Sequence, residues 1–313
     1  MTYVLKKTGV LIVSLILISL LAFLAFQIIP GDPVTTLLGT DYTPERAEAL
    51  REQLGLNGNI FVRYFEWLKG LLSGDPGISY SYFMPVKEVM HGKIQVTAAL
   101  SLLSWFLVML FSIPMGILLA RFQGSHLERT GIVLNQIFMA VPPFFLGMLF
   151  TYLFGLILRW FTPGAYVPFS QSFWGAIRYM LFPALAISIP KSAKTAKLLR
   201  SSILNEMNKD YVRTAYSRGN SRWMVIRSHV LRNALLPVVT YVAMSLADIV
   251  AGSIIVEQVF VVPGLGRLLI ASISSRDFPV SLCVVVMIAF VVVVMNYLAD
   301  VLTQSIDPRV RLS

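Results

Sequence analysis

Charged residues and cysteines are scarce in this sequence. Of its 313 residues, 13% are charged and only one, Cys283, is a cysteine. A disulfide within the chain is therefore excluded. The low charge, together with a hydrophobic share of 56%, excludes an ordinary soluble domain and indicates a polytopic membrane protein.

The sequence also lacks the motifs of several site chemistries. It contains no GxxxxGK[ST] phosphate loop, since Gly264 and Gly266 are not followed by a lysine, so we expect ATP hydrolysis to lie outside this chain. The three histidines, His91, His126 and His229, are far apart in sequence, which argues against a histidine metal site. No spacing of a nucleophile and a base stands out. We therefore predict no catalytic residue, metal site or cofactor in this chain.

The net charge is +10, from 26 Lys and Arg against 16 Asp and Glu. Such an excess often indicates nucleic-acid binding. In a chain this apolar it is better explained by loops held at the inner face of a lipid bilayer, because Lys and Arg are retained on the cytoplasmic side. We expect no nucleic-acid partner.

Five apolar runs are long enough to cross about 30 Å of hydrocarbon at about 1.5 Å per residue. They are Val10–Ile29, Val96–Ala120, Ile132–Leu158, Leu235–Val262 and Val280–Leu302. The first run follows two lysines and is too long for the apolar part of a signal peptide, so we interpret it as an uncleaved span.

A further span is shorter, since only Met180–Pro190 is apolar before lysines begin. If this span is included, sixteen of the 26 Lys and Arg residues fall on one side of the membrane. If it is omitted, the ten positive residues between Lys191 and Arg232 are translocated, against the positive-inside tendency. The sequence therefore predicts an all-α fold with six transmembrane helices and with both termini in the cytoplasm.

This topology divides the chain into consecutive parts. We predict an N-terminal transmembrane helix in 1–30, an extracytoplasmic loop with short helices in 31–95, a five-helix transmembrane core in 96–302 and a cytoplasmic tail in 303–313. The core includes a cytoplasmic loop at 191–234.

Two short helices are predicted in the outer loop. One is "TPERAEALREQLGL", with Thr43 as N-cap and Gly55 after the last turn. The other is "NIFVRYFEWLKGLL", whose apolar residues recur at helical spacing. Within the spans, Pro142 and Pro143 predict a kink, and Pro183 and Pro190 mark further places for a bend or an end.

The stretch "DYVRTAYSRGNSRW", Asp210 to Trp223, is a polar segment in the predicted cytoplasmic loop. Tyr211, Ala215 and Arg218 share one face of a short predicted helix, which Gly219 ends by taking a left-handed conformation. A second short helix is expected over 221–231. Such a basic pair of helices is typical of a docking surface, and equally of a loop that binds anionic lipid headgroups.

Two acids lie within a predicted span, Asp248 in the middle and Glu257 nearer the outer end. A charge at this depth needs a partner or a wet cavity. Both residues are candidates for the lining of a translocation path, where they would meet an ammonium group or a metal cation. The alternative is that they bond to the backbone of kinked helices, in which case Glu257 would hold the outer turn.

The polar segment resembles the "EAA" loop of permease subunits of ATP-binding cassette importers, in which a small-residue motif precedes a glycine. The matching residues are Arg213, Thr214, Ala215 and Gly219, with Arg213 where an acidic residue is usual. The wordings "DYVRTA" and "LRNALLP" are similar to the dipeptide, oligopeptide and nickel permease family. Six further pieces along the chain are similar to the same family. In chain order they are "IPGDP", "GDPGISY", "PPFFLGMLF", "GSIIVEQVFVVPGLGRLL", "RDFPV" and "DPRVR".

The resemblance implies a subunit of an importer in a prokaryotic plasma membrane. Its implied partners are a second, homologous permease, two cytoplasmic ATPase subunits that bind ATP and Mg²⁺, and an extracytoplasmic solute-binding protein. It also implies that the polar segment couples this chain to the ATPase, through Asp210, Tyr211, Arg213, Thr214, Ala215, Gly219 and Trp223.

The substrate stays open at this point. Di- or oligopeptides are favoured, and nickel or a nickel chelate is the alternative. A secondary transporter or channel that works without ATP is a candidate of another class, although no inverted repeat is evident.

Overall fold

The computed structural model describes residues 2–28 and 32–306. The predicted motifs "IPGDP" and "DPRVR" and most of the predicted tail fall wholly or partly outside these ranges. In chain order the α-helices are α1 (Thr2–Ile28), α2 (Pro33–Leu38), α3 (Pro44–Gln53), α4 (Ile60–Leu72), α5 (Val86–Val89), α6 (Lys93–Arg121), α7 (His126–Ala140), α8 (Pro143–Phe150), α9 (Phe173–Met207), α10 (Asp210–Ser217), α11 (Arg222–Val225), α12 (Leu231–Ala234), α13 (Leu236–Val259), α14 (Leu265–Ser274) and α15 (Phe278–Ile306).

The all-α prediction is confirmed, since no β-strand occurs among the described residues. Five helices are long and apolar enough to cross a membrane, namely α1, α6, α9, α13 and α15. A sixth span is formed if α7 and the helix that begins at Pro143 count as one. The two pieces meet at 94°, so the kink predicted from Pro142 and Pro143 is a sharp break.

The other two prolines leave their helix unbroken. Pro183 and Pro190 lie inside α9, which runs for 35 residues, and both are buried. A proline in a helix frees one carbonyl, and such a carbonyl is tolerated at membrane depth where protein surrounds it. α9 thus extends far beyond the apolar run that predicted it, and Lys191 lies halfway along the helix.

The chain divides into two compact units, 1–97 with 263–293 and 98–262 with 294–313. In the first unit, both short helices predicted in the outer loop are confirmed. Thr43 caps α3 by accepting a hydrogen bond from the Arg46 N–H, and Asn59 caps α4. α4 packs on α1, where the Tyr64 and Ser19 hydroxyls lie 2.8 Å apart and the Tyr64 ring contacts that of Phe23.

A buried carboxylate joins two of the sequence motifs within this first unit. Asp277, in "RDFPV", is fully buried. It accepts hydrogen bonds from the hydroxyl of Ser79 and from the backbone N–H groups of Tyr80, at 3.1 Å, and Ser81, at 3.2 Å. Ser79 and Tyr80 belong to "GDPGISY". A buried carboxylate is tolerated where hydrogen bonds of this kind surround it, so Asp277 fixes the path of this loop.

In the second unit, one apolar core joins α6, α9 and the segment from α10 to α13. Its buried members are Ala120, Leu199, Ile203, Val212, Ala215, Val225, Ile226, Val230, Ala234, Val238 and Val242. The Trp105 indole N–H donates to the carbonyl of Val242 at 2.8 Å, which ties α6 to α13.

Replacing Asp277 by Ala leaves two N–H groups and a hydroxyl without their acceptor. Because each unpaired buried donor costs about 1–3 kcal/mol, we expect the free energy of unfolding to fall by roughly 3 kcal/mol. Thermal unfolding of the purified protein in detergent measures this. The control Asp75→Ala removes an exposed carboxylate that caps the Gly77 N–H at 3.2 Å, and should change the midpoint far less. Equal shifts for the two variants would contradict the assignment.

Candidate functional site

The polar segment folds as predicted around Gly219. α10 ends at Ser217, and Gly219 has a φ of +81°, in the left-handed region that side chains with a Cβ rarely adopt. The Gly219 N–H donates to the Tyr216 carbonyl at 2.8 Å. The side-chain amide of Asn220 donates to the Ala215 carbonyl at 3.0 Å, so the turn is closed by the chain's own groups.

One face of α10 is buried in the core of the second unit. Val212 and Ala215 are at most 5% exposed, whereas Tyr211 and Arg218 lie at the surface. Of the face predicted from the sequence, only Ala215 is buried, and the buried Val212 was not part of it. The burial of a small residue at 215 brings the α10 backbone close to its neighbours, which explains why alanine is suited to this position.

The second helix begins with Ser221, whose hydroxyl accepts from the Met224 N–H at 3.4 Å. It continues from α11 through a π-helical segment, Ile226–Val230, into α12. Ile226 and Val230 are fully buried on one face of it. Trp223 is 39% exposed and lies at the edge of this face.

Glu206 anchors α10 to the end of α9. Its carboxylate accepts from the Tyr211 hydroxyl at 2.7 Å and pairs with Lys209 at 2.6 Å. The amide of Asn233 donates to the Tyr211 oxygen at 3.4 Å, which adds α12 to the cluster. Partial burial, and then the bond to Glu206, raises the pKa of Tyr211 above its ordinary value.

The second helix is also tied to the turn that follows α6. The Arg222 guanidinium donates to the side-chain oxygen of Gln123 at 2.7 Å and to the carbonyl of Ala120 at 3.3 Å. The guanidinium of Arg121 lies 4.8 Å from the centre of the Trp223 ring, within the range of a cation–π interaction. The two short helices are therefore held from both sides.

The outward side of α10 is free for contact. Asp210 and Arg213 form an ion pair at 3.4 Å with side chains 96% and 78% exposed, and the hydroxyl of Thr214 donates to the Asp210 carbonyl. We call the surface formed by α10, Gly219 and α11 the polar shelf. It combines a packed inner face with an exposed face of mixed charge, an arrangement suited to a protein contact.

The structure places the two acids of α13 in different environments. The Asp248 side chain is 70% exposed, and its Oδ2 lies 3.6 Å from the Lys191 Nζ. Glu257 is fully buried, with the Ser253 hydroxyl 3.4 Å from its Oε1. Its carbonyl accepts from the Val262 N–H at 2.8 Å. These contacts favour Glu257 as an anchor of the turn that follows α13.

A further ion pair of this unit joins α7 to α9, and no sequence signal predicts it. Arg200 of α9 donates to Glu128 of α7, with its Nε at 3.0 Å from Oε1, and Glu128 also accepts from the Gly124 N–H at 2.6 Å. The start of α7 does have a local signal, "SHLE", in which Ser125 caps the N–H of Glu128 as in a capping box.

Comparison with known proteins assigns the chain to a family. The sequence family described as the binding-protein-dependent transport system inner membrane component matches residues 112–312, and its N-terminal companion matches residues 1–101. The chain belongs to this permease family. The predicted resemblance is thereby confirmed.

Two relatives match this permease along almost its whole length. The oligopeptide transport system permease protein AppB of Bacillus subtilis (strain 168) is 33% identical over 311 residues, which cover 98% of each chain. The glutathione transport system permease protein GsiC of Salmonella choleraesuis (strain SC-B67) is 33% identical over 312 residues, or 99% of each chain.

Among solved structures, the inward-facing MetNI methionine ABC transporter aligns with a TM-score of 0.56 at 18% identity. The alignment covers 70% of this permease and 96% of the other chain, so the two share a fold. The protein is a multi-pass permease subunit of an inner-membrane transport system. Its family role is transport, in agreement with the absence of catalytic motifs from the sequence.

Replacing Tyr211 by Phe removes the hydroxyl that links α10 to Glu206. We expect the permease to lose about 1 kcal/mol of stability, the value of an ordinary hydrogen bond, and the segment around Gly219 to be cleaved faster by chymotrypsin, whose sites neither this substitution nor the control removes. The control Arg213→Ala breaks only an exposed pair and should leave both measurements unchanged. Faster cleavage of the control would contradict the anchoring role of Glu206.

Proposed function

We propose that this permease forms one half of the translocation path of an ATP-driven importer for di- or oligopeptides. A second, homologous permease supplies the other half, and an extracytoplasmic solute-binding protein delivers the substrate. Family membership supports the importer, and the peptide class is supported by the full-length similarity to an oligopeptide permease and a glutathione permease.

The polar shelf is the observation that carries the coupling role. Its inner face is continuous with the core of α9 and α13, and its outer face carries exposed Asp210 and Arg213. A partner that moves the shelf must therefore also move α9 and α13. We propose that the partner is a cytoplasmic ATPase subunit, one for each permease, and that ATP and Mg²⁺ are bound there.

Gly219 is the residue at which coupling can be tested. No atom lies within 4 Å of a Cβ built there, so a substitution acts through the backbone alone. Gly219→Val disfavours the left-handed conformation by about 1–2 kcal/mol and should reorient α10. We expect ATP-driven peptide uptake in proteoliposomes to fall at least about tenfold, with loss either of the co-purified ATPase or of its coupling to transport.

The chain offers a matched control for this strain. Gly74 has the same φ of +81° with open space around it, but lies in the outer loop. Gly74→Val should leave co-purification of the ATPase intact, and Gly219→Asn should keep most of the uptake because asparagine tolerates this conformation. Full uptake by Gly219→Val would overturn the coupling role.

The proposed orientation places the shelf and both termini in the cytoplasm, with α7 and the helix at Pro143 acting as one broken span. In a Cys283→Ser background, we expect an impermeant maleimide to label Thr40→Cys in spheroplasts, and to label Asn208→Cys only after permeabilisation. Three spans between these positions place them on opposite sides. Labelling of both without permeabilisation would instead make the broken pair a re-entrant loop.

A further inference from the structure

Lys191 and Asp248 meet in the middle of two spans of the second unit. Asp248 lies halfway along the 24 residues of α13, so each end of that helix is about 17 Å away at about 1.5 Å per residue. Lys191 lies halfway along the 35 residues of α9. The lysine Nζ and the carboxylate Oδ2 are 3.6 Å apart.

The two side chains differ in exposure. Lys191 is 20% exposed and Asp248 is 70% exposed. An ionised carboxylate halfway along a span is expensive when it faces acyl chains, and such groups face a water-filled cavity or a polar partner instead. The exposed carboxylate therefore identifies this face of α13 as one that opens to water within the transporter.

A second cation adjoins this pair. Lys194 follows Lys191 by one helical turn, and its Nζ lies 5.5 Å from the centre of the Tyr241 ring. Tyr241 precedes Asp248 by two turns on the same side of α13. We call Lys191, Lys194 and Asp248 the midspan charge cluster. It presents two ammonium groups one helical turn apart, of which Lys191 lies 3.6 Å from the carboxylate.

The geometry of the pair is loose. Charged hydrogen bonds are commonly about 2.7–2.9 Å long, and the Lys209–Glu206 pair at the end of α9 is 2.6 Å. The 3.6 Å separation of Lys191 and Asp248 is longer than either, and the carboxylate keeps most of its surface open. A polar group from solution can therefore reach Asp248 while Lys191 is in place.

We propose that Lys191 is an exchangeable counter-ion of Asp248 and that the midspan charge cluster binds peptides with free termini. The ammonium group of the passing peptide takes the place of Lys191 at Asp248. The terminal carboxylate then pairs with the freed Lys191 and with Lys194. This inference rests on the proposed peptide transport and adds to it a carboxylate-binding role for the two lysines.

The competing explanation is a fixed clamp that holds α9 to α13. A clamp needs opposite charges but is indifferent to which helix carries which sign. The exchanged variant Lys191→Asp/Asp248→Lys keeps such a pair, whereas it places a carboxylate beside Lys194 where the peptide carboxylate would bind. The two explanations therefore predict different behaviour for this variant.

The test is equilibrium binding of labelled trialanine and of its C-terminal amide to the purified membrane complex of both permeases and both ATPase subunits. The solute-binding protein is left out. We expect Lys191→Met to weaken trialanine binding about tenfold and amide binding less than about twofold. The exchanged variant should bind trialanine as poorly as Lys191→Met. Lys197→Met, which removes the next exposed cation on α9, is the matched control and should bind like the wild type.

Three outcomes overturn the proposal. The wild-type importer binds trialanine and its amide equally well, Lys191→Met weakens the binding of both peptides equally, or the exchanged variant binds trialanine as tightly as the wild type does. Thermal unfolding of each variant separates loss of fold from loss of binding, and the exchanged variant retains a pair if Lys191→Met is unstable. ATP-driven trialanine uptake by the wild type is measured in parallel. Its absence would refute the peptide importer, whereas uptake with carboxylate-independent binding would refute only this cluster.

Discussion

The packing of α9 against its neighbours is the interaction on which the second unit depends. α7, α8 and α13 all contact this helix, and its inward residues include Ala184, Ala186, Ala193 and Ala196. Small residues allow helices to approach closely in a membrane, where van der Waals packing replaces the hydrophobic effect as the source of association. At Gly116 of α6, an added Cβ would lie 2.8 Å from the Leu199 Cβ, so this contact requires glycine.

α9 continues past its apolar part and there packs against the polar shelf. Leu199 and Ile203 of α9 share one core with Val212 and Ala215 of the polar shelf. α12 then leads into α13 after Leu235 alone. Close-packed interiors transmit displacement because they have little free volume. The shelf is thus linked to the spans twice, through the shared core and through the short connection to α13.

The sequence predicted the elements whose physical signals are local. Apolar length predicts the spans, Thr43 predicts the start of α3, and Gly219 predicts the end of α10 because its lack of a Cβ allows the left-handed conformation. Long-range contacts carried no such signal. Pro183 and Pro190 predict a bend or an end in an isolated helix, whereas burial in protein keeps α9 continuous. The sequence likewise predicts a loop from residue 191 onward, and only the continuation of α9 brings Lys191 to α13.

The acids of the second unit differ in how far the protein satisfies them. Glu128 accepts from Arg200 and from a backbone N–H, and Glu257 is enclosed beside Ser253. Asp248 has a lysine at 3.6 Å and an open surface. A fully bonded buried acid rigidifies the structure and is costly to disturb, whereas an incompletely bonded one retains capacity for another cation. The degree of satisfaction therefore distinguishes two anchors, Glu128 and Glu257, from Asp248, whose carboxylate stays exposed beside its lysine.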